Sequence, residues 1–238
     1  MITDDHNFKI YFNGIDSIRK LYGQSYQDLF ALTMLNGKKN GTFLEIGCNH
    51  PIEGSNSYVL EKNYNFTGIS IDISSEHLYA WDNLRPGGNM LCTDAINIDY
   101  SDLLKEFSAQ IDYLQIDIDE DNGQVTILEN LLKTDHRFSV ITYETDVYRK
   151  THEGLDVKNI EYKEAVKEKM DIHGYMLLVE NVSVLNLITH QKTYGQLVPY
   201  EDWYIDPTVI PAELYTKFFN VGQAIVTPEE IFLKENVI

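Results

Sequence analysis

The sequence predicts a doubly wound α/β fold: a mostly parallel sheet with helices on both faces. Three observations carry this. Apolar runs of strand length alternate with helical stretches from Thr42 to Val179. The first run, Thr42-Phe43-Leu44-Glu45-Ile46-Gly47-Cys48-Asn49, leaves its strand through a glycine. The second, Thr67-Gly68-Ile69-Ser70-Ile71-Asp72, closes on an acid. A buried strand with a tight glycine exit, a helix, and a second strand tipped with Asp or Glu form the nucleoside-binding half of an open α/β sheet. Five βα repeats of this length favour parallel pairing with right-handed crossovers.

The elements follow in order. Ser25-Tyr26-Gln27-Asp28 reads as a helix start with Ser25 at the N-cap and Asp28 at N3. Leu29, Leu32 and Leu35 supply its stripe, and Asn36-Gly37 its stop. The first strand covers 42–48, and Ser55 caps a helix running to about Tyr64. A second strand at 67–73 precedes a helix over 75–84, and Arg85-Pro86-Gly87-Gly88 is a turn. Met90-Leu91-Cys92-Thr93 is the third strand, with Asp94 at its tip, and Leu103, Leu104 and Phe107 mark a short helix. The fourth strand spans 111–119, and Val125, Leu128, Leu131 and Leu132 are the buried face of the next helix. Strand five is 138–144, a charged helix occupies 160–173, and strand six is 175–179. Trp203-Tyr204-Ile205 supplies a seventh strand and 211–219 a helix. The chain reads as one domain over 1–238, with 1–40 a helical lead-in and 185–238 a C-terminal elaboration.

Charge narrows the partners. Nineteen basic side chains face 37 acidic ones, a formal net charge of −18. That field repels phosphates, which argues against nucleic acid and against anionic membrane surfaces. A neutral or cationic small-molecule acceptor is expected. No apolar run is long enough for a transmembrane helix, and Met1-Ile2-Thr3-Asp4-Asp5-His6 lacks a signal peptide's basic-then-apolar layout, so a cytoplasmic protein is expected. Cys48 and Cys92 read as two small buried hydrophobes, without disulfide or zinc spacing. Nothing in the sequence fixes the oligomeric state.

The ligand follows from what the first turn lacks. Gly47 is followed by Cys48, Asn49, His50, Pro51 and Ile52, with no Gly-x-Gly-x-x-Gly. A pyrophosphate needs close backbone approach over several glycines at a helix N-terminus. A nucleoside without phosphate needs only the turn and the ribose acid, which points to S-adenosylmethionine rather than NAD. Each of the first five strands ends in acid or amide: Asn49, Asp72, Asp94, Asp117 with Asp119, and Glu144 with Asp146. Asp72 would accept from both ribose hydroxyls, the competing reading being a helix N-cap. Asp94 would accept from the adenine amine, with the Ala95 N–H beside it, unless it is only a turn residue. Glu45 has the strand parity of Gly47, which places a buried carboxylate near the cofactor's ammonium. Asp117 and Asp119 would share one strand face about 7 Å apart, and Glu144 and Asp146 would repeat the arrangement. Three readings compete for this cluster: a general base, favoured in the order Asp119 then Glu144; a Mg²⁺ site through oxygen ligands; or solvated loop acids. His50 and His152 could approach an acceptor, or be ordinary histidines.

At this point several ordered runs resemble one family, the FkbM-like S-adenosylmethionine-dependent methyltransferases. They are Gln24-Ser25-Tyr26-Gln27-Asp28-Leu29-Phe30, the run 45–51, Gly54 to Lys62, Gly68 to Asp72, Asn83 to Pro86, Ile111 to Asp117, Val140 to Arg149 and Tyr200 to Pro207. The resemblance implies a class I methyltransferase fold and transfer of a methyl group, usually to oxygen, with sugar hydroxyls on glycans or glycosylated metabolites as typical acceptors. It carries cofactor contacts to Gln24, Glu45, Gly47, Asn49, Ser55, Asn56, Asp72, Ile73, Asp94, Ala95 and Asp117. The chain departs from the pattern at Asp119-Glu120, where Glu-Gly is common, and at Thr145, where similar proteins often carry histidine. The second departure removes a strand-five histidine from the mechanism. Two alternatives stay open: a non-catalytic Rossmann-like binding module and, with less support, an NAD-dependent oxidoreductase.

Overall fold

A computed structural model describes residues 7–119, 122–145, 147, 150–151, 154–155, 157–183, 199–218 and 225–234. Seven strands form one sheet: β1 (Thr42–Ile46), β2 (Thr67–Asp72), β3 (Met90–Cys92), β4 (Gln110–Ile116), β5 (Arg137–Glu144), β6 (Met176–Val182) and β7 (Glu201–Ile205). Their order is β3-β2-β1-β4-β5-β7-β6. The first five run parallel, whereas β7 is antiparallel to both β5 and β6. The helices between them are α1 (Gln27–Met34), α2 (Tyr58–Tyr64), α3 (Leu78–Leu84), α4 (Tyr100–Leu103), α5 (Gly123–Leu132) and α6 (Val157–Ile172). Lys150–Thr151 and Gly154–Leu155 pair as a separate two-stranded sheet.

Strand alternation divides the core. Phe43, Tyr113, Val140 and Trp203 pack with α1 and α2, while Leu44, Leu114, Ile141 and Tyr204 pack with α4, α5 and α6. Successive strand residues face opposite sides, so one sheet feeds two apolar layers. Phe30 of α1 stacks on Trp203 with ring centroids 4.4 Å apart. Every residue of α1 is buried. The N-terminal segment (Phe8, Phe12, Ile15) and the late residues Phe218, Ile231 and Phe232 share its cluster. These two segments also bond to each other, Lys9 N donating to Phe232 O and Lys234 N to Asn7 O, both at 2.8 Å.

Several local expectations change. Among its described residues, the lead-in is helical only over Ile15–Ser17 and α1. Ser25 does not cap α1: Tyr26 holds the N-cap in a left-handed conformation, φ 59°. Asp28 instead accepts from the backbone N–H groups of Tyr22, Gly23 and Leu29. The helix after β1 starts at Tyr58, behind Ser57 rather than Ser55. β4 stops at Ile116, so Asp117 and Asp119 lie in a loop and do not share a strand face. The reason is the neighbouring strand. Asp117 N makes a last ladder bond to Ile46 O at 2.9 Å, and Gly47 then turns away at φ +83°. Cys92 is exposed, while Cys48 is buried as expected. Trp203, Tyr204 and Phe218 are buried in the core.

Candidate cofactor and acceptor site

A cavity of about 610 Å³ opens beyond the carboxyl ends of the parallel strands. Its walls take one acid or amide from each strand end in turn: Asn49, Asp72, Asp94, Asp117 and Glu144. Gly47 lines the cavity and is required there. Its φ of +83° is a conformation that side chains resist, and a Cβ at this position would lie 1.5 Å from the Asp117 carbonyl oxygen.

Asp72 is held at both oxygens. Asn49 N donates to Oδ2 and Ser74 N to Oδ1, each at 2.8 Å. Each carboxylate oxygen keeps a further lone pair, so two ligand hydroxyls can still be accepted. The helix-cap alternative does not describe this residue, because α3 begins at Leu78 with His77 at its N-cap. Asp94 does cap a turn: Ile96 N donates to Oδ1 and Asn97 Nδ2 to Oδ2. That turn presents Ala95 to the cavity beside Asp94. Ile73, 71% exposed, lines the cavity next to Asp72.

Glu45 and Ser55 sit behind the cavity wall rather than in it. Glu45 Oε1 accepts from Ser55 Oγ, Asn56 N and Ser57 N, and Oε2 from the hydroxyls of Ser57 and Ser70. A carboxylate so engaged, 1% exposed, does not reach a ligand's ammonium. It fixes the loop that presents Asn56 to the cavity. Arg85 completes the network, donating to the Ser55 and Ser57 hydroxyls, to Pro51 O and to Glu61. Its guanidinium lies 4.7 Å above the Trp81 ring, and Trp81 Nε1 donates to Asn49 O. One buried cation therefore braces the stretch from Asn49 to Ser57.

On the opposite flank, Asp28 anchors the segment carrying Gln24 into the cavity. Burial raises the Asp28 carboxyl to about 6, against the lowering effect of its backbone N–H donors. Asp119 is an exposed loop acid lining the cavity, and Glu144 a buried one at the end of β5. Asp146 and His152 lie outside the described residues. Among the described residues, no three His, Cys, Asp or Glu side chains are grouped to hold a metal ion. His50 does not line the cavity: its Nδ1 accepts from Ile52 N and Glu53 N. Cys48 does, but burial and then the Glu45 and Asp72 charges push its thiol far up, which leaves it a poor nucleophile.

Glu201 was not anticipated as a site neighbour. It stands opposite Glu144 in the β5–β7 pair and is 1% exposed. Gln27 Nε2 donates to one oxygen at 3.1 Å and Trp203 Nε1 to the other at 2.6 Å. Burial outweighs both bonds and, with the nearby Asp117 and Asp202 charges, raises its pKa from 4.5 to about 8. The folded protein thus keeps a proton that the unfolded chain releases. The stability this contributes is complete below about pH 4.5 and is lost as pH rises to about 8. Glu201→Gln is expected to flatten that slope, with a difference between pH 5 and pH 8 on the order of a few kcal/mol. Urea unfolding at the two pH values measures it, and parallel slopes would refute the assignment.

Tyr200 and His77 also line the cavity without having been singled out from the sequence. The available signal for Tyr200 was an aromatic residue directly before the acidic start of β7.

No family model matches the chain, and no curated protein does. Among solved structures it is similar to a Clostridium thermocellum protein designated an rRNA methylase, at 11% identity and a TM-score of 0.52, covering 79% of this chain and 97% of that one. It is also similar to the plantazolicin methyltransferase BpumL in complex with SAH, at 16% identity and a TM-score of 0.48, covering 77% and 82%. A TehB-like SAM-dependent methyltransferase from Corynebacterium glutamicum matches at 12% identity and a TM-score of 0.45, covering 82% and 92%. The first of these likenesses is one of fold, and with the strand order above it gives the chain the class I methyltransferase fold.

Proposed function

We propose that the chain is an S-adenosylmethionine-dependent methyltransferase acting on a hydroxyl of a sugar, a glycan or a glycosylated small molecule. The observation that carries the cofactor assignment is Asp72. Its carboxylate is oriented by two backbone N–H groups at the rim of a cavity whose glycine turn lacks the further glycines a pyrophosphate requires. The rest of the lining fits the same ligand: Ala95 and Ile73 beside the adenosine end, and acids toward a sulfonium cation. The hydroxyl acceptor rests on the family resemblance of the ordered sequence runs.

Bound S-adenosylmethionine supplies an electrophilic methyl group. The chain has to hold the acceptor oxygen in line with it; such positioning lowers a barrier by roughly 7–11 kcal/mol in favourable cases. Asp119 or Glu144 would accept the acceptor's hydroxyl proton, so that its oxygen can take the methyl group the cofactor would supply. General-base assistance of this kind contributes about 10²–10⁴-fold. S-adenosylmethionine is expected to raise the melting temperature, and Asp72→Ala to abolish the rise. The absence of any shift for the unaltered protein at millimolar cofactor would overturn the proposal.

A further inference from the structure

The cavity has two chemically distinct ends. Asp72, Ile73, Asp94 and Ala95 mark the side of β2 and β3; Gln24, Asp117 and Tyr200 mark the side of β4 and β7. From Asp94 beyond β3 to Asp117 beyond β4 the two groups span four adjacent strands, β3-β2-β1-β4. At the usual strand spacing that is about 14 Å, enough for a nucleoside to lie with its tail across Gly47.

Tyr200 ties the second end together. Its hydroxyl donates to Gln24 Oε1 at 3.0 Å and faces Asp117 Oδ2 at 3.5 Å. With Oε1 occupied, the Gln24 amide offers its NH₂ group to a ligand. Backbone pairing reinforces the placement, because Gly23, the residue before Gln24, forms a bridge with Gly54 of the cavity loop. Gln24 as donor and Asp117 as acceptor match the two charges of an α-amino acid, a carboxylate and an ammonium. Three segments distant in sequence converge on that pair: the turn before α1, the end of β4 and the start of β7.

We infer that Tyr200 is a positioning residue for the amino-acid end of the cofactor: it orients the Gln24 amide toward the ligand's carboxylate and steadies Asp117 for its ammonium. This rests on the proposed cofactor. It assigns the residue preceding β7, which otherwise reads as packing, to ligand selectivity.

The experiment compares two probes, S-adenosylhomocysteine and 5′-methylthioadenosine, which share the adenosine and differ by the amino-acid end. Calorimetric titration of Tyr200→Phe should show about tenfold weaker binding of S-adenosylhomocysteine, the scale of one hydrogen bond in a charged site. Binding of 5′-methylthioadenosine should stay within about twofold, since no hydrogen bond to the adenosine is removed. Gln24→Glu puts a negative charge beside the ligand's carboxylate and should produce the same selective loss. Adding Tyr200→Phe to Gln24→Glu should then cost little more. Equal weakening of both probes, or of neither, by Tyr200→Phe overturns the inference and leaves the cofactor assignment standing. Failure of the unaltered protein to bind either probe removes the cofactor assignment itself.

Discussion

Gly47→Ala is expected to eliminate S-adenosylhomocysteine binding and to destabilise the fold by about 3 kcal/mol. Part of this is conformational, since a left-handed backbone costs an alanine roughly 1–2 kcal/mol. The larger part is steric. The new Cβ would sit 1.5 Å from the Asp117 carbonyl oxygen, and that atom belongs to the backbone and not to a flexible side-chain end. Relief requires moving either the exit of β1 or the end of β4. Either movement disturbs the Asp117 N to Ile46 O bond and the aim of Asp117 into the cavity. Urea unfolding and titration with S-adenosylhomocysteine measure the two effects. Unchanged affinity in a folded variant would show that the close approach is not what shapes the cavity.

Arg85→Leu is the second large effect, a loss of about 3–5 kcal/mol, as for other buried charges deprived of their partners. Arg85 is 4% exposed. It donates to Ser55, Ser57, Pro51 O and Glu61, and the two serines in turn donate to the buried Glu45. Removing the cation leaves Glu45 charged and buried in a weakened shell. Arg85→Lys should restore only part of the loss, because an ammonium cannot reproduce the guanidinium's fork. Adding Glu45→Gln to Arg85→Leu should recover stability by removing the stranded charge. Denaturant titration of the three variants tests this. A loss below about 1 kcal/mol for Arg85→Leu, the scale of a surface pair, would refute the buried-network account.

The sequence was most readable where chemistry is local. The strands from Thr42, Thr67, Ile111 and Phe138 show as apolar runs, and the turn after Ile46 shows as a glycine without a phosphate loop. The acids and amide at successive strand ends were visible because parallel strands all finish on one edge, and that edge lines the cavity. Glu45 was readable as buried but not as to its task. Its parity placed it on the right sheet face, while its five donors come from loop 55–57 and from Ser70 on the neighbouring strand. Asp117 and Asp119 looked like a strand pair because alternation continues to Asp119, yet a strand ends where its neighbour's backbone departs.

By itself, then, the sequence determined a mostly parallel α/β sheet, the glycine exit and the strand-end residues that line the cavity, because backbone geometry and strand periodicity act over a few residues. Only the tertiary structure decided that Arg85 in a turn braces, through Ser55 and Ser57, a Glu45 forty positions away, that Glu201 keeps its proton, and that Tyr200 meets Gln24 and Asp117. Those outcomes depend on burial and on contacts between distant segments. The desolvation and hydrogen bonding that govern them are set by which residues the closed fold places side by side.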